Sequence, residues 1–74
     1  MTLSKLLKHQ KATIKTLPTD LSLSGKLMEQ GFFPSSEIAL AHKAPFSGPL
    51  AFYLHGTKVS IQQQLAAQIE VELV

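Results

Sequence analysis

Residues 50–61 read LAFYLHGTKVSI, and this stretch decides the fold. Large apolar side chains occupy every second position on both sides of Gly56, which is the pattern of half-buried β-strands. Gly56 supplies the positive φ that a tight hairpin turn needs. We therefore predict two antiparallel strands with one shared apolar face, formed by Leu50, Phe52, Leu54, Val59 and Ile61.

Three further segments predict strands that complete a sheet around this hairpin. Residues 11–17 alternate small or apolar side chains with polar ones and are rich in β-branched residues. Residues 37–43 and 68–74 alternate in the same way. Their expected inward faces are Ile38, Leu40 and His42 in the first case and Ile69, Val71 and Leu73 in the second.

A helix is predicted between the first and second strands. Asp20 or Ser22 can cap its N-terminus, and it runs to about Gln30, where Gly31 can adopt the left-handed conformation that ends a helix. Gly25 weakens this helix and suggests that a strand approaches it closely. The expected apolar face consists of Leu23, Leu27 and Met28.

Two short connections complete the predicted fold. Residues 33–36 form a turn, for which we expect type I, because Ser35 would resist the positive φ of a type II turn. Residues 62–67 favour one helical turn. Five strands this short must curl to bury one apolar face and limit their exposed edges. The chain, residues 1–74, is therefore expected to be one mostly β domain, a small SH3-like β-barrel with one short helix after the first strand.

Composition limits what this domain can do. A chain of 74 residues buries only about 60% of its unfolded surface, so one compact core is expected and a large cavity is not. The absence of cysteine excludes disulfides and thiolate metal sites and suits a reducing compartment. No signal peptide or membrane-spanning stretch is evident. We therefore expect a cytoplasmic protein that does not insert into the membrane.

Charge argues against a nucleic-acid partner. The net charge is +2, and the seven basic residues are all lysines scattered along the chain. A dedicated reader of phosphates or bases usually clusters its cations and uses arginine. We therefore expect no nucleic acid among the partners.

The side chains that carry most catalytic and metal chemistry are sparse. His9, His42 and His55 form no short-spaced pair and have no neighbouring cysteine or aspartate, so no metal site is predicted. Asp20 is the only aspartate and is expected to cap the helix rather than orient a catalytic base. No glycine pattern resembles a phosphate-binding loop. We predict neither an enzyme nor a bound cofactor.

Aromatic residues and prolines offer a candidate binding face. Phe52 and one of the pair Phe32 and Phe33 are expected in the core. The remaining residues could border a groove beside the 44–49 loop, of the kind that small barrels use for peptide docking. The candidate partner-binding residues are Phe33, Pro45, Phe46 and Tyr53.

Three motifs mark the chain: LMEQGFFP at residues 27–34, KAPFSGP at residues 43–49 and GTKVSI at residues 56–61. Their order and spacing resemble the FeoA family, small proteins of the bacterial ferrous iron uptake system. The resemblance covers nearly the whole chain. Lys8-His9-Gln10 departs from the Pro-Gly-Gln that the family often has, and Pro34-Ser35 departs from its Pro-Gly.

The resemblance implies a role and a partner. FeoA proteins look like SH3-like adaptors that act on FeoB, a membrane permease with a cytosolic G protein region, so we expect a non-enzymatic accessory protein recruited to the inner face of the cytoplasmic membrane. Two alternatives stay open: direct iron binding, and a regulator module similar to the C-terminal domain of DtxR-type repressors. Self-association through an open strand edge is a further expectation.

Overall fold

The computed structural model describes residues 1–74, and a single antiparallel sheet dominates it. The strands lie in the order β4-β3-β2-β1-β5. The predicted five strands and the helix after the first strand are confirmed. In chain order, the elements are a 3-10 turn (Leu3–Lys5), β1 (Lys11–Thr16), α1 (Leu21–Glu29), β2 (Glu37–Lys43), β3 (Leu50–Leu54), β4 (Thr57–Ile61), α2 (Gln63–Ala66) and β5 (Glu70–Leu73).

The hairpin of β3 and β4 forms as predicted. His55 and Gly56 make its two-residue loop, with φ values of 53° and 77°. Positive φ at both positions matches the type I′ turn, whose twist suits a two-stranded hairpin. The ladder then pairs every residue of β3 with one of β4, from Leu54 with Thr57 to Leu50 with Ile61.

The core is one cluster of fifteen buried apolar residues inside the curved sheet. Phe32 and Phe52 are both fully buried, so the core member of the predicted phenylalanine pair is Phe32. No backbone ladder joins β4 to β5, so the barrel stays open between these two strands. None of the helices is long and apolar enough to cross a bilayer.

The N-terminal segment belongs to the core, which the sequence pattern did not indicate. Leu3 and Leu6 are completely buried. The Leu3 amide donates to the Ile69 carbonyl at 2.8 Å, and the Val71 amide donates to the Met1 carbonyl at 2.8 Å. These bonds lay the first residues along the outer edge of β5, so that edge is covered rather than open.

Helix α1 begins as predicted, but its buried face differs from the expectation. The Asp20 side chain accepts hydrogen bonds from the amides of Ser22, at 2.8 Å, and Leu23, at 3.2 Å. Leu27 is buried as expected, whereas Met28 is exposed and Ser24 is buried in its place. The expected close approach at Gly25 is wrong, because a Cβ placed there meets no atom within 4 Å.

Two side chains that alternation assigned to the core are exposed. His42 is turned outward by a β-bulge in β2, where Leu40 pairs with Phe52, His42 pairs with Ala51, and Ala41 has no partner. One extra residue reverses the alternation of all residues that follow it. Leu73 is exposed at the end of β5.

The expected type I turn at residues 33–36 is wrong. Ser35 adopts a φ of 76°, and the Ser36 amide donates to the Phe33 carbonyl at 3.0 Å, as in a type II turn. Two bonds to β1 hold this conformation: the Ser35 amide donates to the Ile14 carbonyl at 2.8 Å, and the Ile14 amide donates to the Ser36 carbonyl at 2.9 Å. Pairing with β1 therefore outweighs the preference of Ser35 for negative φ.

Ser35→Gly is expected to raise the free energy of unfolding by about 1 kcal/mol. A left-handed conformation costs a non-glycine residue about 1–2 kcal/mol, and glycine removes this strain. The greater conformational freedom of glycine in the unfolded chain offsets part of the stabilisation. Urea denaturation measures the change. Ser36→Gly is the matched control: its φ is not positive, so the same substitution should destabilise the protein there. Equal effects at both positions would contradict the strain at Ser35.

Candidate docking surface

The outer face of the sheet carries a row of side chains that crosses four strands. Tyr53 of β3 lies opposite Lys58 of β4 on one side and Ala39 of β2 on the other, and Ala39 lies opposite Lys11 of β1. Because side chains alternate along each strand, this row points away from the core residues Phe52 and Ile38. The row therefore places a tyrosine between two lysines on one exposed surface.

A pocket of about 330 Å³ lies over this row, next to the hairpin loop. Tyr53, Lys11, Glu37 and His55 contribute to its lining, together with Ala39. The methyl group of Ala39 stands between Tyr53 and Lys11 in the row, and a side chain this small leaves a depression between its larger neighbours. Small-molecule sites are clefts of about 300–1,000 Å³, so this pocket is at the small end of that range.

The pocket offers three kinds of contact to a partner. The Tyr53 ring is half-exposed, at 52%, and Lys58 Nζ lies 6.0 Å from its centre, at the outer limit of a cation–π contact. Lys11 and Glu37 add one charge of each sign, and neither takes part in the two ion pairs of the structure. An aromatic ring flanked by unpaired charges suits a peptide that carries both apolar and charged side chains.

The other three predicted binding residues do not line this pocket or either of the two remaining pockets. Phe33 is half-exposed, at 47%, in the turn before β2. Pro45 and Phe46 lie in the loop after β2. Tyr53 pairs near the start of β2, and the end of β2 is roughly 13 Å farther along the strand. The structure thus places Phe33 and Tyr53 towards one end of the sheet and Pro45 and Phe46 beyond the other.

Phe46 lies in the loop between β2 and β3 and is 100% exposed. Phe46 and Ser47 have φ values of 58° and 60°, and the Gly48 amide donates to the Pro45 carbonyl at 3.1 Å. The Gln63 side chain donates to the Gly48 carbonyl at 3.3 Å and ties the loop to α2. These contacts hold the phenylalanine outward in a conformation that costs a non-glycine residue about 1–2 kcal/mol.

The three histidines are dispersed. His55 lines the Tyr53 pocket, His42 lines a different pocket, and His9 lines none. No group of three histidine, aspartate or glutamate side chains is placed to hold a metal ion. His55 and Glu37 both line the Tyr53 pocket.

Sequence reasoning found Tyr53 but missed its neighbours Lys11, Glu37 and Ala39. Alternation places each of these residues on the outer face of its own strand. Their convergence depends on the strand register, which pairs Ala39 with both Tyr53 and Lys11. The sequence therefore indicates that each residue lies on the exposed face of its strand. It does not indicate which residues of the neighbouring strands lie opposite.

Comparison with known proteins identifies the fold family. The family model described as the FeoA domain matches residues 1–73. The iron(II) transport protein A of Clostridium thermocellum is 34% identical, with a TM-score of 0.95 over 100% of this chain. This chain spans 46% of that protein, which is about half of its length. No curated protein sequence matches the chain.

Two further structures extend the comparison. The FeoA of Stenotrophomonas maltophilia, described as a procaryotic SH3 domain protein complexed with zinc, is 25% identical; the match covers 97% of this chain and 89% of that protein, with a TM-score of 0.83. A manganese-dependent transcriptional repressor in complex with manganese is 16% identical, with a TM-score of 0.91 over 100% of this chain and 36% of the repressor. The likeness to the repressor concerns the fold alone. The likeness to the Stenotrophomonas maltophilia protein confirms the SH3-like fold.

Proposed function

Because this chain belongs to the FeoA domain family, we propose that it is an accessory protein of bacterial ferrous iron uptake that acts by docking on the FeoB permease. Its contact is the cytosolic G protein region of the permease, which recruits it to the inner face of the cytoplasmic membrane. The family match over residues 1–73 supports the link to iron transport.

The observation that carries the docking role is the Tyr53 pocket on a rigid sheet. Tyrosine is enriched among the residues that dominate binding energy at protein interfaces, especially beside a pocket. The backbone of Tyr53 is held between β2 and β4 by ladders on both sides, so little backbone order is lost on binding. Lys11, Glu37 and Lys58 surround it and would fix the orientation of the partner.

Phe33 and Phe46 supply further apolar contacts in this proposal. Phe33 extends the face at the Tyr53 end of the sheet, whereas Phe46, with Pro45, forms a second contact beyond the opposite end. A permease surface of standard interface size, about 800 Å² per partner, is large enough to span both ends of a molecule whose extents are 29 × 26 × 22 Å.

The test measures both binding and transport. Purified protein should bind its cognate permease saturably, and deletion of its gene should lower the rate of ferrous iron uptake. Binding to the full-length permease and to its cytosolic region, each with and without nucleotide, locates the contact. Normal uptake in the deletion strain, or no binding in any nucleotide state, would contradict the proposal.

Direct iron binding is the second candidate, and one observation favours it. His55 and Glu37 line the same pocket, and the related protein of Stenotrophomonas maltophilia is described as a zinc complex. Two donors fall short of the three or four protein ligands of most metal sites. Anaerobic calorimetry with ferrous iron separates the two candidates. A heat of binding that His55→Ala abolishes would favour direct iron binding. The absence of any heat of binding would count against it and would favour docking on the permease.

A further inference from the structure

A second pocket, of about 340 Å³, carries a different chemistry from the first. Its lining consists of Leu7, Lys8, Leu40, His42 and Lys43, and it shares no residue with the Tyr53 pocket. Lys43 is the last residue of β2 and leads into the loop that carries Phe46. The pocket therefore lies at the loop end of the sheet.

Two irregular features of the backbone build this pocket. The bulge at Ala41 turns His42 away from the core and towards the surface. A turn over residues 7–10 places Lys8 beside Leu40, to which it forms an isolated bridge. The turn is closed by the Gln10 amide, which donates to the Leu7 carbonyl at 3.1 Å, and by the Leu7 amide, which donates to the Gln10 side chain at 2.9 Å.

The charged residues that line the pocket are both lysines. Lys8 and Lys43 are exposed, and neither takes part in an ion pair. No carboxylate is among the lining residues. Two unpaired cations on one small surface repel each other, and an anionic partner relieves this repulsion.

The pocket also has an apolar part. Leu7 is 58% exposed at its rim, and Leu40 is buried beneath it. A free phosphate ion would leave this apolar surface in water and would use neither leucine. A carboxylate-bearing peptide with a neighbouring apolar side chain matches both the cations and the exposed side chain of Leu7.

We propose that this second pocket binds an acidic segment of a partner protein, in which glutamate or aspartate side chains flank an apolar side chain that packs on Leu7. The carboxylates contact Lys8 and Lys43. This site is separate from the Tyr53 pocket, and the proposal holds whether or not the permease is the partner.

The probe is an acetylated synthetic hexapeptide that alternates glutamate and leucine, titrated into the isotope-labelled protein at low ionic strength. We expect saturable shifts of the backbone amides of residues 7–8 and 40–43 in NMR spectra. The variant Lys8→Gln/Lys43→Gln should weaken binding about ten-fold, since each exposed charge pair is worth a factor of about three. Leu7→Ser should weaken binding about three-fold.

Controls separate this site from a general charge effect. Lys5→Gln/Lys26→Gln removes the same net charge from exposed positions outside the pocket and should change the affinity less than two-fold, on the order of a weak surface effect. A hexapeptide with lysine in place of glutamate should not bind. Equal losses in both double variants, or binding of inorganic phosphate or phosphatidylglycerol vesicles as tight as that of the acidic peptide, would overturn the proposal.

Discussion

Leu6→Ala is expected to lower the free energy of unfolding by about 3 kcal/mol. Leu6 is completely buried although it lies before the first strand, and truncation of a fully buried leucine costs about 2–5 kcal/mol through lost transfer energy and the cavity left behind. A small domain has a total stability of about 5–15 kcal/mol, so this single change removes a large share of it. Urea denaturation followed by circular dichroism measures the loss.

Leu7→Ala is the matched control for this prediction. Leu7 is the next residue in the chain and is 58% exposed, so the same truncation should cost less than about 0.5 kcal/mol. A loss below about 1 kcal/mol for Leu6→Ala, or equal losses for the two variants, would show that the N-terminal segment does not complete the core.

Tyr53→Ala is expected to weaken binding to the permease about thirty-fold, which corresponds to about 2 kcal/mol. The half-exposed ring lines the pocket on the outer face of the sheet, and the substitution removes the tyrosine ring from that lining. Titration of each variant against the purified permease gives the affinity. Ferrous iron uptake by a strain that carries the variant should fall accordingly.

Two controls and one further variant make the Tyr53 prediction specific. Tyr53→Phe keeps the ring and should retain most of the affinity. Leu21→Ala removes an apolar side chain that is 86% exposed at the start of α1 and does not line the Tyr53 pocket, and this variant should bind normally. Phe46→Ala tests the loop end separately. An unchanged affinity for Tyr53→Ala, in protein shown to be folded, would contradict the pocket as the docking site.

The local elements were predictable where a signal lies within a few residues of its effect. Gly56 sits where the hairpin needs a positive φ, Asp20 caps the helix, and Gly31 ends it at a φ of 100°. Each depends on backbone geometry over one turn, so neighbouring residues suffice to identify it.

Predictions that depended on distant partners were less accurate. Ser35 was expected to avoid positive φ, but its hydrogen bond to β1 imposes that conformation. His42 was expected in the core, but the unpaired Ala41 turns it outward. The burial of Leu6 has no periodic signal in the sequence, and it depends on residues 1–3, which pair with β5 at the far end of the chain.

The candidate site likewise combines a residue that was predictable from its own strand with residues that depend on distant parts of the chain. Tyr53 was identifiable as an aromatic residue on the outer face of a strand, because alternation follows from the geometry of one strand alone. Lys11, Glu37 and Ala39 join it through strand pairing between distant parts of the chain. Pro45 and Phe46 were grouped with Tyr53 by composition, and the direction of β2 places them beyond the opposite end of the sheet.

The sequence by itself determined the strands, the helix, the hairpin and the family, because periodicity, caps, turn residues and motif order are all local or linear properties of the chain. The tertiary structure alone decided the register of the sheet, the burial of Leu3 and Leu6, and the assembly of both pockets. The physical reason is that these features arise from contacts between residues far apart in the chain, whose free energy outweighs the local preference of a residue such as Ser35.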